Sequence, residues 1–152
     1  MTTTANGLAE LTTLAGADLG HTGWLEITQP RVDLFADATD DHQWIHVDAA
    51  RAAAGPFGGT IAHGYLTLSL LIPLFGELLE VTGVSMGINY GLNKVRFISP
   101  VPVGSKIRLA GRVAAVEPAG GNAVQLTADF TVELDGAAKS ACVAQAIYRY
   151  YA

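Results

Sequence analysis

The feature that most constrains this chain is the uncharged stretch 64–76, GYLTLSLLIPLFG. A helix built from it is apolar or uncharged on every side and has no face to offer water. The residues that follow behave differently. Over 123–134, Val124, Leu126, Ala128, Phe130, Val132 and Leu134 alternate with Gln125, Thr127, Asp129, Thr131 and Glu133, which is the period of a half-buried strand. Over 105–116, Lys106, Arg108 and Arg112 oppose Ile107, Leu109 and Val113 in the same way. An antiparallel sheet has one apolar face to cover, and a helix apolar all round needs a sheet against it. The expected class is therefore α+β, with a long core helix over 61–80 ahead of a run of antiparallel strands. Pro73 should bend that helix near Ser69, and Gly83 is a plausible stop.

The remaining elements follow from local pattern. Leu8, Leu11 and Leu14 predict a helix over 5–16, with Thr3 or Thr4 as its cap. Residues 24–28 alternate as a strand does. Pro30 opens a helix over 32–38, with Val32, Leu34, Phe35 and Ala38 as its apolar side. Asp48 can cap a short helix over 49–54, and 55–59 is a glycine-rich loop. Residues 84–97 and 140–151 are strand-like. Turns fall at 100–104 and 118–122, and Asp135-Gly136 is a hairpin signal.

Composition excludes several functions. Its 152 residues suit one domain with a sizeable core, and only 15% are charged. One cysteine, Cys142, allows no internal disulfide, so a reduced, cytoplasmic protein is expected. No basic residue precedes Arg31, which does not suit a signal peptide. The apolar run is too short to span a bilayer. A net charge of −5 argues against nucleic-acid binding. Yet five of the nine basic residues (Lys94, Arg96, Lys106, Arg108 and Arg112) lie in the acid-free window 81–116. Either they meet an anionic ligand or they form a solvated strand face.

The chemistry concentrates in 35–71, where Asp37, Asp40, Asp41, His42, His46 and Asp48 cluster ahead of His63-Gly64. On a straight helix Asp41 and His46 would not share a face, so for them to act together their segment must turn. A carboxylate and an imidazole converging on a water can remove one proton and deliver another. Their spacing matches no metal motif, and no serine sits in a nucleophile elbow. Gly64 falls at the first turn of the apolar helix, where backbone N–H groups lack internal partners and a missing Cβ admits a ligand. Such an N–H can hold a carbonyl oxygen. Gly64 can equally be small for packing, and His63 can cap the helix or face the ligand. Together the parts suit addition of water across the double bond of an α,β-unsaturated thioester.

Asp41-His-Gln-Trp-Ile-His46 followed by Ala62-His-Gly64 resembles the hydratase motif of the MaoC-like dehydratases, the (R)-specific enoyl-CoA hydratases with a hotdog fold. Gly91-Leu-Asn-Lys-Val-Arg-Phe97 followed by Pro100-Val-Pro-Val-Gly104 resembles the strand after that family's central helix. The resemblance runs from about Trp24 to the C-terminus. It implies a single hotdog domain, residues 1–20 being an N-terminal helical extension, with a curved antiparallel sheet wrapped around 61–80 and two sheets joined in a homodimer. It also implies a hydro-lyase of fatty-acid metabolism that takes an acyl-CoA thioester and needs no cofactor or metal of its own. Asp41 and His46 would be the catalytic pair, and the Gly64 N–H would bind the thioester oxygen. Gln43, His63 and Tyr65 would meet the substrate, with Leu68 and Ile72 lining an acyl tunnel and Lys94 and Arg96 meeting the CoA phosphates. The sequence departs from the motif where Asp40 replaces a glycine and Gln43-Trp44 replaces Asn-Pro. Two alternatives stand: a hotdog thioesterase, for which the first acid in the helix is Glu77, and a non-catalytic acyl-binding partner subunit.

Overall fold

The computed structural model describes residues 1–152. The chain begins with strand β1, Thr3–Asn6, and helix α1, Gly7–Thr12. Strands β2, Asp18–His21, and β3, Leu25–Glu26, come next. Helices α2, Gln29–Thr39, α3, Trp44–Val47, and α4, Ala49–Ala53, lead to α5, Gly64–Ser69, and α6, Leu71–Leu78. Strand β4, Leu79–Thr82, follows directly. Four long strands complete the chain: β5, Met86–Phe97; β6, Lys106–Pro118; β7, Ala123–Leu134; and β8, Cys142–Tyr151.

The main sheet has the order β2-β6-β7-β8-β5, with β3 also paired to β6, and every pairing is antiparallel. The alternation in 123–134 is borne out from Val124 to Glu133, while Leu134 is only partly buried. Val124, Leu126, Ala128, Phe130 and Val132 are buried, while Gln125, Thr127, Asp129, Thr131 and Glu133 stay partly exposed. Cys142, Ala144, Ala146 and Tyr148 continue the inner face on β8. Against it pack Leu66, Leu70, Leu71, Leu74, Phe75 and Leu78 of α5 and α6.

Five expectations are corrected. The helix over 61–80 is two segments meeting at Leu70. Pro73 has no N–H to donate, and its ring conflicts with the carbonyl four residues back, at Ser69. The helix ends at Leu78 rather than at Gly83, because 79–82 pair in parallel with β1. That pairing also makes Thr3–Asn6 a strand, so the first 20 residues are not simply helical. On α2, Val32 and Ala36 are buried, while Leu34 is 69% exposed and Ala38 also faces solvent. Finally, the apolar helix does show a face to water. Tyr65 is 70% and Ile72 45% exposed. They lie toward β5, the sheet's edge strand, which is itself exposed along nearly its whole length.

Candidate active site

Asp41 and His46 come together because the chain turns between them. Asp40 ends α2 in a left-handed conformation, φ 59°. The backbone then re-enters one helical turn at Trp44, and Asp41 Oδ1 accepts from the Gln43 N–H at 3.4 Å. That turn carries His46 inward until it is 6% exposed. Its Nδ1 lies 2.7 Å from the Ile61 carbonyl. A carbonyl can only accept, so Nδ1 carries the proton and Nε2 keeps its lone pair. The same segments are tied by their backbones: Ile61 N–H donates to the Ile45 carbonyl, and Ala62 N–H to that of Val101.

His63 lies directly against His46, the two rings stacked at 3.8 Å with 24° between their planes. It occupies the N-cap position of α5 but makes no side-chain cap bond. Instead Nε2 donates to the Asp41 backbone carbonyl at 2.9 Å, and Nδ1 is buried without a partner. Phe35 also packs on that ring, the centroids 4.9 Å apart. Burial pulls His46 below the ordinary histidine value, and the neighbouring His63 imidazole adds to this. The Ile61 carbonyl and the Asp41 carboxylate pull the other way. His46 is therefore neutral near pH 7, able to take a proton at Nε2.

His46 and Gly64 line one cavity of about 260 Å³, with Ile61, Thr67, Phe97 and Ala141 among its walls. The Gly64 N–H, first of α5, has no acceptor in the protein. A Cβ added at Gly64 would sit 3.2 Å from the Phe97 ring, so the glycine admits both the aromatic wall and an approach to the amide. Asp41, His46 and His63 also bring one potential metal-ligating atom each within 4.8 Å of one another.

The chain matches the MaoC like domain family over residues 10–133. It belongs to the MaoC-like dehydratases. Within this family it is 56% identical to 3-hydroxyacyl-thioester dehydratase Z of Mycobacterium tuberculosis H37Rv over 149 residues, 98% of this chain and 99% of that protein. It is 44% identical to nodulation protein N of Rhizobium leguminosarum bv. viciae over 139 residues, covering 90% and 86% of the two chains. Among solved structures it superposes on the R-hydratase PhaJ1 of Pseudomonas aeruginosa with a TM-score of 0.70 at 26% identity, covering 93% of this chain and 83% of that one. The fold is thus the hotdog expected from the motif.

Family membership clarifies the departures in the MaoC-like motif. The family's glycine before the aspartate falls on Asp40, whose left-handed backbone is one that glycine adopts freely and aspartate tolerates. Its side chain is exposed. Trp44, in place of proline, packs against Gly55, where a Cβ would lie 3.0 Å from the indole, and Arg51 stacks on the ring at 4.4 Å. Asp48 caps α4, accepting from Arg51 N–H at 3.0 Å. His42 pairs with Asp37 at 2.9 Å, a bond that raises its pKa.

Not every predicted residue reaches the cavity. Gln43 is exposed and touches the site through its backbone, while Tyr65 stands outside the cavity wall, 6.1 Å from the Phe97 ring centre. Lys94 and Arg96 pair with Gln145 and Val143 on the sheet's outer face, whereas Val95 and Phe97 between and beyond them pair with buried Ala144 and Cys142. The structure therefore does not bring Lys94 and Arg96 to His46. Arg108 is bound to Glu133 and stacked on Trp24, and Arg112 lies 3.6 Å from Asp129. Glu77 is exposed on α6, away from the residues of the His46 cavity. Thr67 and Phe97 were missed as cavity residues. Thr67 could have been found, since it lies three residues after Gly64 on the same helical face. Phe97 could not, because only the tertiary fold sets it over the glycine.

Proposed function

We propose that this MaoC-like protein is a hydro-lyase that interconverts trans-2-enoyl-CoA and (R)-3-hydroxyacyl-CoA. One observation carries the proposal: a buried neutral imidazole, its tautomer fixed by the Ile61 carbonyl, shares a cavity with an unused backbone N–H at Gly64, and the Asp41 carboxylate stands nearby. In the hydration direction, His46 Nε2 takes a proton from water as the oxygen bonds to the β-carbon. The π electrons shift toward the α-carbon, with the developing charge on the thioester oxygen held by the Gly64 N–H. Asp41, having first taken a proton from solvent, delivers it to the α-carbon and returns to the carboxylate. Dehydration reverses each transfer, and proton exchange restores the pair. A positioned acid or base contributes roughly 10²–10⁴-fold, and an oxyanion donor roughly 3–4 kcal/mol. The similarity to the mycobacterial dehydratase supports the thioester substrate, and that to PhaJ1 supports the R configuration.

The test is hydration of crotonyl-CoA with chiral analysis of the product. The expected product is (R)-3-hydroxybutyryl-CoA. An (S) product would refute the proposed face of addition, and release of free CoA from saturated acyl-CoA would favour a thioesterase.

The lowered pKa of His46 sets the pH profile. Protonation removes the base, and it occurs only below the usual histidine value of 6.5. The acidic limb of kcat/KM for hydration should therefore have its midpoint below pH 6.5. A midpoint above it would assign the limb to another group.

The active form is proposed to be a homodimer with the two β5 edges paired. Met86, Ile88, Tyr90, Leu92 and Phe97 expose apolar surface on an unpaired strand edge, beside the exposed Tyr65 and Ile72. An open apolar edge of this kind needs a partner. Sedimentation equilibrium should give twice the 15.9 kDa chain mass, and Leu92→Arg should shift the protein to monomer.

A further inference from the structure

Thr67 stands on the wall of the His46 cavity, one turn along α5 from Gly64. The residue is 3% exposed. Elsewhere in the chain the hydroxyls of Thr12, Thr39 and Ser69 donate to the carbonyl four residues back, the usual habit of a hydroxyl inside a helix. Thr67 finds that acceptor occupied. The His63 carbonyl, four residues back, already receives the Leu66 N–H at 3.1 Å and the Thr67 N–H at 3.2 Å. A carbonyl oxygen has two lone pairs, and both are taken.

The hydroxyl is also not walled in. The buried side-chain groups sealed from water without a partner are His63 Nδ1 and the Tyr148 hydroxyl, and Thr67 is not among them. Its hydroxyl therefore opens on the cavity that the residue lines. Valine would fill the same space and break no hydrogen bond, so packing does not call for threonine. Ser99 puts another hydroxyl on this wall, but from the loop after β5 and from a partly exposed position. Thr67 instead shares a helix with the free Gly64 N–H. Residues three apart on a helix are neighbours, about 5–6 Å between Cβ positions, and their side chains lean toward the N-terminus. The thioester oxygen and the oxygen added in hydration sit on carbons two apart, and so span a comparable gap. With the first at Gly64, the second falls between His46 and Thr67.

We infer that the Thr67 hydroxyl is a further catalytic group, which holds the oxygen that adds to the β-carbon. The inference rests on the hydratase activity proposed above. Water brings two hydrogens. One passes to His46 Nε2 as the oxygen bonds to the β-carbon. The other stays on that oxygen as the hydrogen of the new 3-hydroxyl, and Thr67 Oγ1 accepts it. No bond to Thr67 is made or broken. With both hydrogens engaged, a lone pair of the water is left to face the β-carbon, which is the gain from orienting a reactant. In dehydration the same contact holds the leaving hydroxyl where His46 protonates it.

The test compares the wild-type protein with Thr67→Val, which removes the hydroxyl, and Thr67→Ser, which keeps it. Crotonyl-CoA has no β-oxygen, so in hydration Thr67→Val should lower kcat about tenfold and leave KM nearly unchanged. (R)-3-hydroxybutyryl-CoA carries that oxygen, so in dehydration the loss should appear in KM instead. A merely structural defect would not divide between kcat and KM in this way. Thr67→Ser should stay close to wild type in both directions. Calorimetry in a His46→Gln background, where turnover is suppressed, reads the contact directly. There the preference for (R)-3-hydroxybutyryl-CoA over butyryl-CoA should fall about tenfold when Thr67→Val is added. If the wild-type protein does not hydrate crotonyl-CoA, the hydratase proposal fails and the calorimetric ratio alone decides Thr67. The inference is overturned if Thr67→Val leaves the hydration kcat or the calorimetric ratio unchanged, or if Thr67→Ser loses as much as Thr67→Val. Thr67→Ala supplies the same deletion should Thr67→Val melt well below wild type.

Discussion

Replacing His46 by glutamine is expected to lower kcat/KM for crotonyl-CoA hydration by about 10²–10⁴-fold. The amide N–H of glutamine can still reach toward the Ile61 carbonyl that now accepts from Nδ1. The residue would remain polar, buried and of similar reach. What it lacks is a nitrogen lone pair that can be protonated. The loss should therefore fall on kcat more than on KM, with a melting temperature within a few degrees of wild type. Steady-state kinetics with calorimetric melting reads both. A loss under about tenfold would remove His46 from proton transfer and leave it a spacer in the cavity wall.

Asp41→Asn is the second large effect, of the same order. Asparagine keeps the shape and the acceptor for the Gln43 N–H, at 3.4 Å in the parent. It keeps the backbone carbonyl that receives His63 as well. Only the exchangeable proton of the carboxyl group is lost. Under the proposed mechanism Asp41 and His46 act in one step, so their losses should not add. The Asp41→Asn/His46→Gln double variant should retain about the activity of the weaker single variant. Additive losses would mean that the two residues act in separate steps.

Much of this site could be read from the sequence, for a physical reason. Asp41, His46 and Gly64 lie close together in the chain, and short-range pattern reports on short-range structure. The need for a turn at 40–46 followed from helical geometry, and the left-handed Asp40 supplies it. The strand alternation in 123–134 was equally readable, because one face of that strand meets the core along its whole length. Long-range pairing was not. Nothing local marks 79–82 as the partner of 3–6, so the expected helix over 61–80 runs too far and Thr3 or Thr4 reads as the cap of a helix over 5–16. The basic window 81–116 suggested an anion site. In three dimensions Arg108 and Arg112 meet acids on the adjacent strand, partners that only the sheet register reveals.

The two imidazoles of the site are held by backbone carbonyls, those of Ile61 and Asp41, rather than by other side chains. Substitution at position 61 need not disturb that anchorage, since every residue offers the same carbonyl. The anchorage of the two rings is thus a property of the backbone path, and only a change that moves that path should release them.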